Sequence, residues 1–269
     1  MTTLPTEAAA ANWRAAFSDL ANQKVLITGG STGIGAAVAR GFGACGATVA
    51  IAYNSSVEQA CQVADDVRKL GGRAEVIQAD LAEAGSVRGL VEQAVNRLDG
   101  LDILINNAGS ILGRKPTLEV DDDFYRRIME LNLNSTFIAC QAALAIFSRQ
   151  GHGTIINTTS LAARMGGGPG TVAYATAKAG VSTMTRGLAR EYGPQGIRVN
   201  AVSPGFIITP LHDRFTDPAM LDAFAKTIPL SRLGVPDDCV GTYLFLASPK
   251  LAGYITGQTL EVNGGILMP

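Results

Sequence analysis

From Lys24 onward the chain alternates short β-branched and aliphatic runs with longer stretches of helical periodicity, and this alternation restricts the fold more than any other feature. Strands are predicted over 25–27, 47–53, 74–78, 101–105, 154–158, 197–202 and 259–262. Helices are predicted over 34–45, 57–70, 86–98, 122–149, 171–192 and 236–247. The strand segments are near-continuous apolar runs, the signature of a sheet covered on both faces. Strand–helix alternation implies right-handed crossovers and parallel pairing. The expected fold is α/β, one doubly wound domain over 23–269 with a parallel sheet of about seven strands. Residues 1–22 read as an extension with a weak helical pattern, and no linker or repeat interrupts the rest.

In such a sheet ligands bind beyond the carboxyl ends of the strands, and the unusual residues fall there. The first strand runs into Thr28-Gly29-Gly30-Ser31-Thr32-Gly33-Ile34-Gly35. Glycines let a phosphate approach the backbone, and the following helix offers free N–H groups and its positive dipole end. The spacing is not G-x-G-x-x-G, so a plain turn is the competing reading. The second strand ends in Tyr53-Asn54-Ser55-Ser56 with no carboxylate before Glu58. A carboxylate there would take ribose hydroxyls and repel a 2′-phosphate. Its absence favours NADP, with NAD the alternative. Asp80, next to Leu81, is placed to meet the adenine, or serves as a helix cap or turn residue.

Tyr174 and Lys178 stand four residues apart, on one face of a helix. A nearby cation lowers a phenol's pKa and moves it toward acid–base work near neutrality; a surface pair is the plain alternative. Ser160, just past the fifth strand, can donate to a carbonyl oxygen or be an ordinary loop serine. Asn132 interrupts an apolar helical stretch and needs a partner for its amide, with Asn134 a nearby competitor.

These residues together, in order, resemble the short-chain dehydrogenase/reductases, in the branch with the 3-oxoacyl-carrier-protein reductases and many sugar and polyol dehydrogenases. The resemblance rests on the glycine turn, Asn106-Asn107-Ala108-Gly109, Asn132, Ser160, Tyr174-x-x-x-Lys178, and Pro204-Gly205 with Thr209. It implies a Rossmann-type domain that moves a hydride between NADP(H) or NAD(H) and a secondary alcohol or ketone. Tyr174 would be the acid or base, Lys178 would lower its pKa and bind the nicotinamide ribose, Ser160 would orient the substrate oxygen, and Asn132 would anchor a relay water. Gly29, Ser31, Thr32, Gly33, Ile34 and Gly35 would cradle the cofactor. Asn54, Ser55, Ser56, Asp80 and Leu81 would meet its ribose and adenine. Asn106, Asn107, Ala108 and Gly109 would pack by the adenosine, and Pro204, Gly205, Ile207 and Thr209 by the nicotinamide. No metal is implied, and homotetramers are usual, with the helices around 122–149 and 171–192 at one interface.

Two features depart from the pattern. Ser160 and Tyr174 are one residue further apart than in the acyl-carrier reductases, with Gly166-Gly167-Gly168-Pro169-Gly170 between them, and residues 1–22 lie outside the match. The segment 206–233 is the expected substrate loop. Its Leu211, Phe215, Met220, Leu221 and Phe224, mixed with His212, Asp213 and Arg214, suggest a lid or a packed helix pair.

Composition excludes other classes. With 47% hydrophobic and 17% charged residues the chain buries a large core, and a net charge of −1 gives no basic face for nucleic acid or membrane. Four separated cysteines read as buried thiols in a reducing compartment, and the two histidines offer little for a metal. The N-terminal alanine run is too short for a signal core, and no apolar stretch reads as an uninterrupted span. A cytoplasmic location follows as the expectation. The rival to an enzyme is a non-catalytic dinucleotide-binding or redox-sensing module, which has no need of a proton-transfer pair.

Overall fold

The computed structural model describes residues 7–209 and 224–268, with side chains from residue 10. Seven parallel strands form one sheet in the order β3-β2-β1-β4-β5-β6-β7. They are β1 (Lys24–Thr28), β2 (Thr48–Tyr53), β3 (Arg73–Gln78), β4 (Ile103–Asn106), β5 (Gly153–Thr158), β6 (Ile197–Pro204) and β7 (Thr259–Val262). The main crossover helices are α2 (Gly33–Ala44), α3 (Val57–Lys69), α4 (Ala84–Leu98), α5 (Asp122–Met129), α6 (Ser135–Gln150), α8 (Val172–Tyr192) and α9 (Pro236–Ala247). Short helices α7 (Ala162–Met165) and α10 (Pro249–Ala252) were not visible in the periodicity.

Successive strand residues serve opposite faces. Val25 and Ile27 join Val38, Phe42, Val67, Val240 and Leu244 beneath α2, α3 and α9. Leu26 joins Leu90, Val91, Ala143, Phe147 and Ala189 on the side of α4, α6 and α8. Both faces are therefore apolar, which is why the strands read as unbroken hydrophobic runs. The order reverses between β1 and β4, and that switch point opens a crevice at the strand C-termini.

At the sheet's centre a polar row replaces apolar packing. Asn106 Nδ2 donates to Asn157 Oδ1 at 3.0 Å, and Asn157 Nδ2 donates to Thr185 Oγ1 at 3.0 Å. The row joins β4, β5 and α8.

The residues before β1 pack onto the domain. Helix α1 (Glu7–Ala16) brings Trp13 against the core, and Leu20 is fully buried. Arg14 donates to the carbonyls of Ala44 and Leu70, at the C-terminal ends of α2 and α3, which lack intrahelical donors. Asp19 accepts from Ser248 Oγ at 2.6 Å and from the Lys250 N–H at 3.0 Å, at the start of α10.

Two expectations need correction. Cys45, Cys140 and Cys239 are buried, but Cys61 is exposed on α3. The helical run Asp122–Gln150 is long and apolar enough to cross a membrane by length and composition. Its Ala139, Ala143, Leu144 and Phe147 are instead buried against the sheet.

Candidate active site

The glycine turn is held by the strand beside it. Gly29 has a φ of +62°, and a Cβ there would sit 3.0 Å from Ala108 Cα. A Cβ on Gly35 would overlap the Gly29 carbonyl oxygen and press on Asn107 Nδ2. Asn107 Nδ2 donates to the carbonyls of Thr28 and Gly29, both at 3.1 Å. Thr28 Oγ1 accepts the N–H groups of Asn107 and Ala108 at 3.0 and 3.1 Å. The sequence did not single out Thr28; a hydroxyl ending an otherwise apolar strand just before the glycines was the available signal. Thr32, the N-cap of α2, places no side-chain hydrogen bond over the first turn. Backbone N–H groups and the helix dipole there face a cavity of about 780 Å³. Glycines without room for side chains, and an open helix N-terminus beside a large cavity, fit a dinucleotide's pyrophosphate.

Ser160, Tyr174 and Lys178 line the same cavity. Ser160 follows β5, where its Oγ accepts the Ala162 N–H at 3.1 Å, and its side chain faces Tyr174 closely enough to act on the phenol. Burial raises the Tyr174 pKa, and the Ser160 hydroxyl opposes that rise. Lys178 is 2% exposed, donates from Nζ to the Thr158 carbonyl at 2.9 Å, and lies 5.9 Å from the Tyr174 ring centroid. Burial pulls its ammonium down to about 8. The implied lowering of Tyr174 by Lys178 is thus not seen in this state. The lysine's bond runs to backbone, and burial dominates both groups.

Asn132 is fully buried in a π-helical turn (Glu130–Asn134) between α5 and α6. Its Oδ1 accepts the Ser110 N–H at 3.0 Å, and its Nδ2 donates to the carbonyls of Ser110 at 2.8 Å and Ile128 at 3.0 Å. A Cβ on Gly109 would lie 2.7 Å from Asn132 Oδ1 and 3.0 Å from Lys178 Nζ, so Gly109 sits directly between the two. Asn132 does not itself line the cavity.

The cavity also takes in Gly29, Thr32, Gly33, Ile34, Asn107, Ala108, Gly109, Pro204, Gly205, Ile207 and Thr209. Other expected residues stand apart from its lining. Ser31 and Gly35 are buried behind the turn. Asn54 and Ser55 are exposed at the end of β2, with Ser56 half-buried beside them. Asp80 Oδ1 accepts the Ala82 N–H at 3.0 Å, its turn-residue reading, and Leu81 packs in the core. Asn106 is 3% exposed and directs its amide to Asn157 and Cys140, so it supports the sheet instead of meeting adenosine. The lining further includes Ile111, Arg114, Leu161, Ala162, Met165 and Phe224, which sequence reasoning did not assign to a site, apart from Phe224 in the substrate loop. Phe206 and Phe224 stack with centroids 4.0 Å apart. Leu211, His212, Asp213, Arg214, Phe215, Met220 and Leu221 lie outside the described residues.

Comparison with known proteins identifies the family. The family described as Enoyl-(Acyl carrier protein) reductase matches residues 29–267. The chain is 38% identical over 249 residues to a 3-oxoacyl-[acyl-carrier-protein] reductase of Synechocystis sp., covering 93% of this chain and 98% of the relative. A short-chain type dehydrogenase/reductase from Mycobacterium marinum superposes with a TM-score of 0.88 at 37% identity, covering 95% of this chain and all (100%) of that one. A 7α-hydroxysteroid dehydrogenase, solved with NADH and 7-oxo glycochenodeoxycholic acid, gives 0.86 at 33% identity, with 91% and 94% covered. The chain belongs to the short-chain dehydrogenase/reductase family and is a nicotinamide-dinucleotide-dependent oxidoreductase acting between alcohol and carbonyl.

Proposed function

We propose that Ser160, Tyr174, Lys178 and Asn132 form the proton-transfer site of a ketone reductase, reversible toward a secondary alcohol. The observation that carries this reading is convergence: Ser160, Tyr174 and Lys178 line the same cavity as the uncapped start of α2. Gly29, Thr32, Gly33 and Ile34 would hold the pyrophosphate, Asn107, Ala108 and Gly109 the adenosine side, Lys178 the nicotinamide ribose, and Pro204, Gly205, Ile207 and Thr209 the ring. When bound, the nicotinamide supplies or accepts the hydride.

Ser160 donates to the substrate oxygen and holds it beside Tyr174 Oη. Tyr174 delivers its proton as that oxygen gains negative charge, where an acid is most effective. Burial keeps the phenol protonated and ready to donate at neutral pH. Lys178, charged below its pKa of about 8, favours the phenolate left behind. Asn132 fixes the Ser110 turn and with it the wall at Gly109.

NADP is the preferred cofactor in this reading, with NAD accepted, because Asn54 and Ser55 close β2 without a carboxylate; the steroid dehydrogenase relative was solved with NADH. The chain assembles as a homotetramer in the cytoplasm, a reading supported by the exposed Tyr125 and Phe137 along the 122–150 run. Residues 206–233 serve as the substrate loop.

Tyr174→Phe tests the mechanism. Turnover is expected to fall by about 10²–10⁴-fold with NADPH affinity retained. Undiminished turnover would refute Tyr174 as the acid and favour the binding-module alternative.

A further inference from the structure

Both ends of Lys178 are tied to the residues that close β5. Its Nζ donates to the Thr158 carbonyl at 2.9 Å, and its own carbonyl accepts the Thr159 hydroxyl at 2.9 Å. The two anchors are consecutive residues. The lysine stem therefore runs from a backbone held by Thr159 to a tip held by Thr158.

Those anchors are themselves fixed. The Thr158 carbonyl and the Thr159 N–H belong to one planar peptide unit, and that N–H donates to the Val202 carbonyl of β6 at 2.8 Å. Toward α9, Thr158 Oγ1 shares a hydrogen bond of 2.7 Å with the buried Tyr243 Oη. Toward α8, Thr159 Oγ1 meets Ser182 Oγ at 2.8 Å as well as the Lys178 carbonyl. Ser182 Oγ also reaches the Lys178 carbonyl, at 3.2 Å. That bond lies within α8 and cannot tie the helix to the sheet, whereas the Thr159 bond does. Thr159 borders the cavity but is 2% exposed, and its hydroxyl is turned into α8.

A lysine side chain is a point charge on a flexible four-carbon stem, and it loses rotamer freedom when it engages a ligand. Holding both ends beforehand removes much of that loss from the binding step. Building on the proposed contact between Lys178 and the nicotinamide ribose, we propose that Thr159 is a positioning residue for that contact. Its hydroxyl keeps the Lys178 turn of α8 at a fixed distance from the Thr158 carbonyl, and so sets where Nζ meets the ribose. Thr159 acts through the lysine and not by touching the cofactor.

The test is calorimetric titration of the full-length protein with NADPH and with 2′,5′-ADP, which has the adenosine end but no nicotinamide ribose. NADH and ADP are titrated in parallel, and the tighter cofactor is the one compared with its fragment. Thr159→Val keeps the branched shape and leaves Ser182 Oγ to serve the Lys178 carbonyl, so the fold should persist. Lys178→Met is expected to weaken the cofactor about tenfold relative to the fragment, the worth of one charge-assisted hydrogen bond. Thr159→Val should show the same selective loss at about threefold or more, and Thr159→Ser should restore the parent's affinity. In a Lys178→Met background Thr159→Val should cost nothing further, because the two act as one unit. Equal weakening of cofactor and fragment would mark a merely structural role and overturn the proposal. Additive losses in the double variant would mark a direct contact and overturn it too. Parent-like cofactor binding by Thr159→Val, with Lys178→Met selectively impaired, would refute the positioning role and leave the ribose contact standing. No selective loss in Lys178→Met would refute that contact, and the proposal with it.

Discussion

Asn132→Ala separates what this asparagine does for the fold from what it does for the reaction. The wild-type side chain has no exposed surface and makes three hydrogen bonds, two to Ser110 and one to Ile128. Truncation leaves the Ser110 N–H and carbonyl without this partner and removes a side-chain donor from the mid-helix Ile128 carbonyl. An intramolecular hydrogen bond nets about 1 kcal/mol, and a buried group left without its partner costs about 1–3 kcal/mol. Ser110 is half-buried beside the cavity, so water replaces part of what it loses, and the Ile128 carbonyl, 1% exposed, keeps its place in the helix but loses its side-chain donor. The combined destabilisation is about 2–4 kcal/mol. Urea unfolding measures it directly, with an unchanged m-value expected because the packed surface is the same. The Ser110 turn carries Gly109, so NADPH affinity should fall as well. A variant within about 0.5 kcal/mol of the parent, with unaltered NADPH affinity, would refute the claim that these bonds hold the cavity wall.

Gly109→Ala should impair turnover strongly, since its methyl would lie 2.7 Å from Asn132 Oδ1 and 3.0 Å from Lys178 Nζ. Steady-state kinetics and thermal melting check this, and parent-like kinetics would contradict it. Lys178 has a pKa of about 8 in the fold against 10.5 unperturbed. Its burial penalty is full below pH 8 and is relieved as the folded form discharges, so stability rises with pH between these values. Relative to Lys178→Met, the parent should gain about 1.4 kcal/mol from about pH 7 to about pH 9. The buried cysteines, pushed up to about 12, are common to both proteins and cancel in the comparison. Parallel urea profiles would disprove this. Ser55→Asp should weaken NADPH binding about tenfold more than NADH binding, through repulsion of the 2′-phosphate at an exposed site. Equal losses in fluorescence titrations would misplace the ribose pocket.

The sheet was legible because each strand serves two apolar faces and leaves an unbroken hydrophobic run. Tyr174 and Lys178 were legible because four residues on a helix is a fixed geometry. What escaped depends on tertiary contacts. Thr28 matters through N–H groups 79 and 80 residues away along the chain. The π-helical turn that buries Asn132 has no periodic signature, and α7 is too short to show one. Arg114 reached the cavity because Gly170 lets two loops touch, and no local pattern announces such a contact. Asn106 was assigned to the cofactor by its neighbours' company, while its own amide completes the sheet's interior. The bulk of the substrate-loop residues expected to form a lid fall at 210–223, outside the described residues.

The polar row of Asn106, Asn157 and Thr185 bears on how the chain finds its register. Parallel strands that are apolar on both faces slide past one another at small penalty, since a shifted hydrophobic run still meets hydrophobic neighbours. A shift of β4 against β5 by one residue, however, would turn the paired amides to opposite sides and strand each in a dry interior. Wrong alignments are thereby made unfavourable where the apolar contacts discriminate least. The residues that form the cavity walls at the ends of those strands, Asn107 to Gly109 and Thr158 to Ser160, inherit their alignment from that constraint.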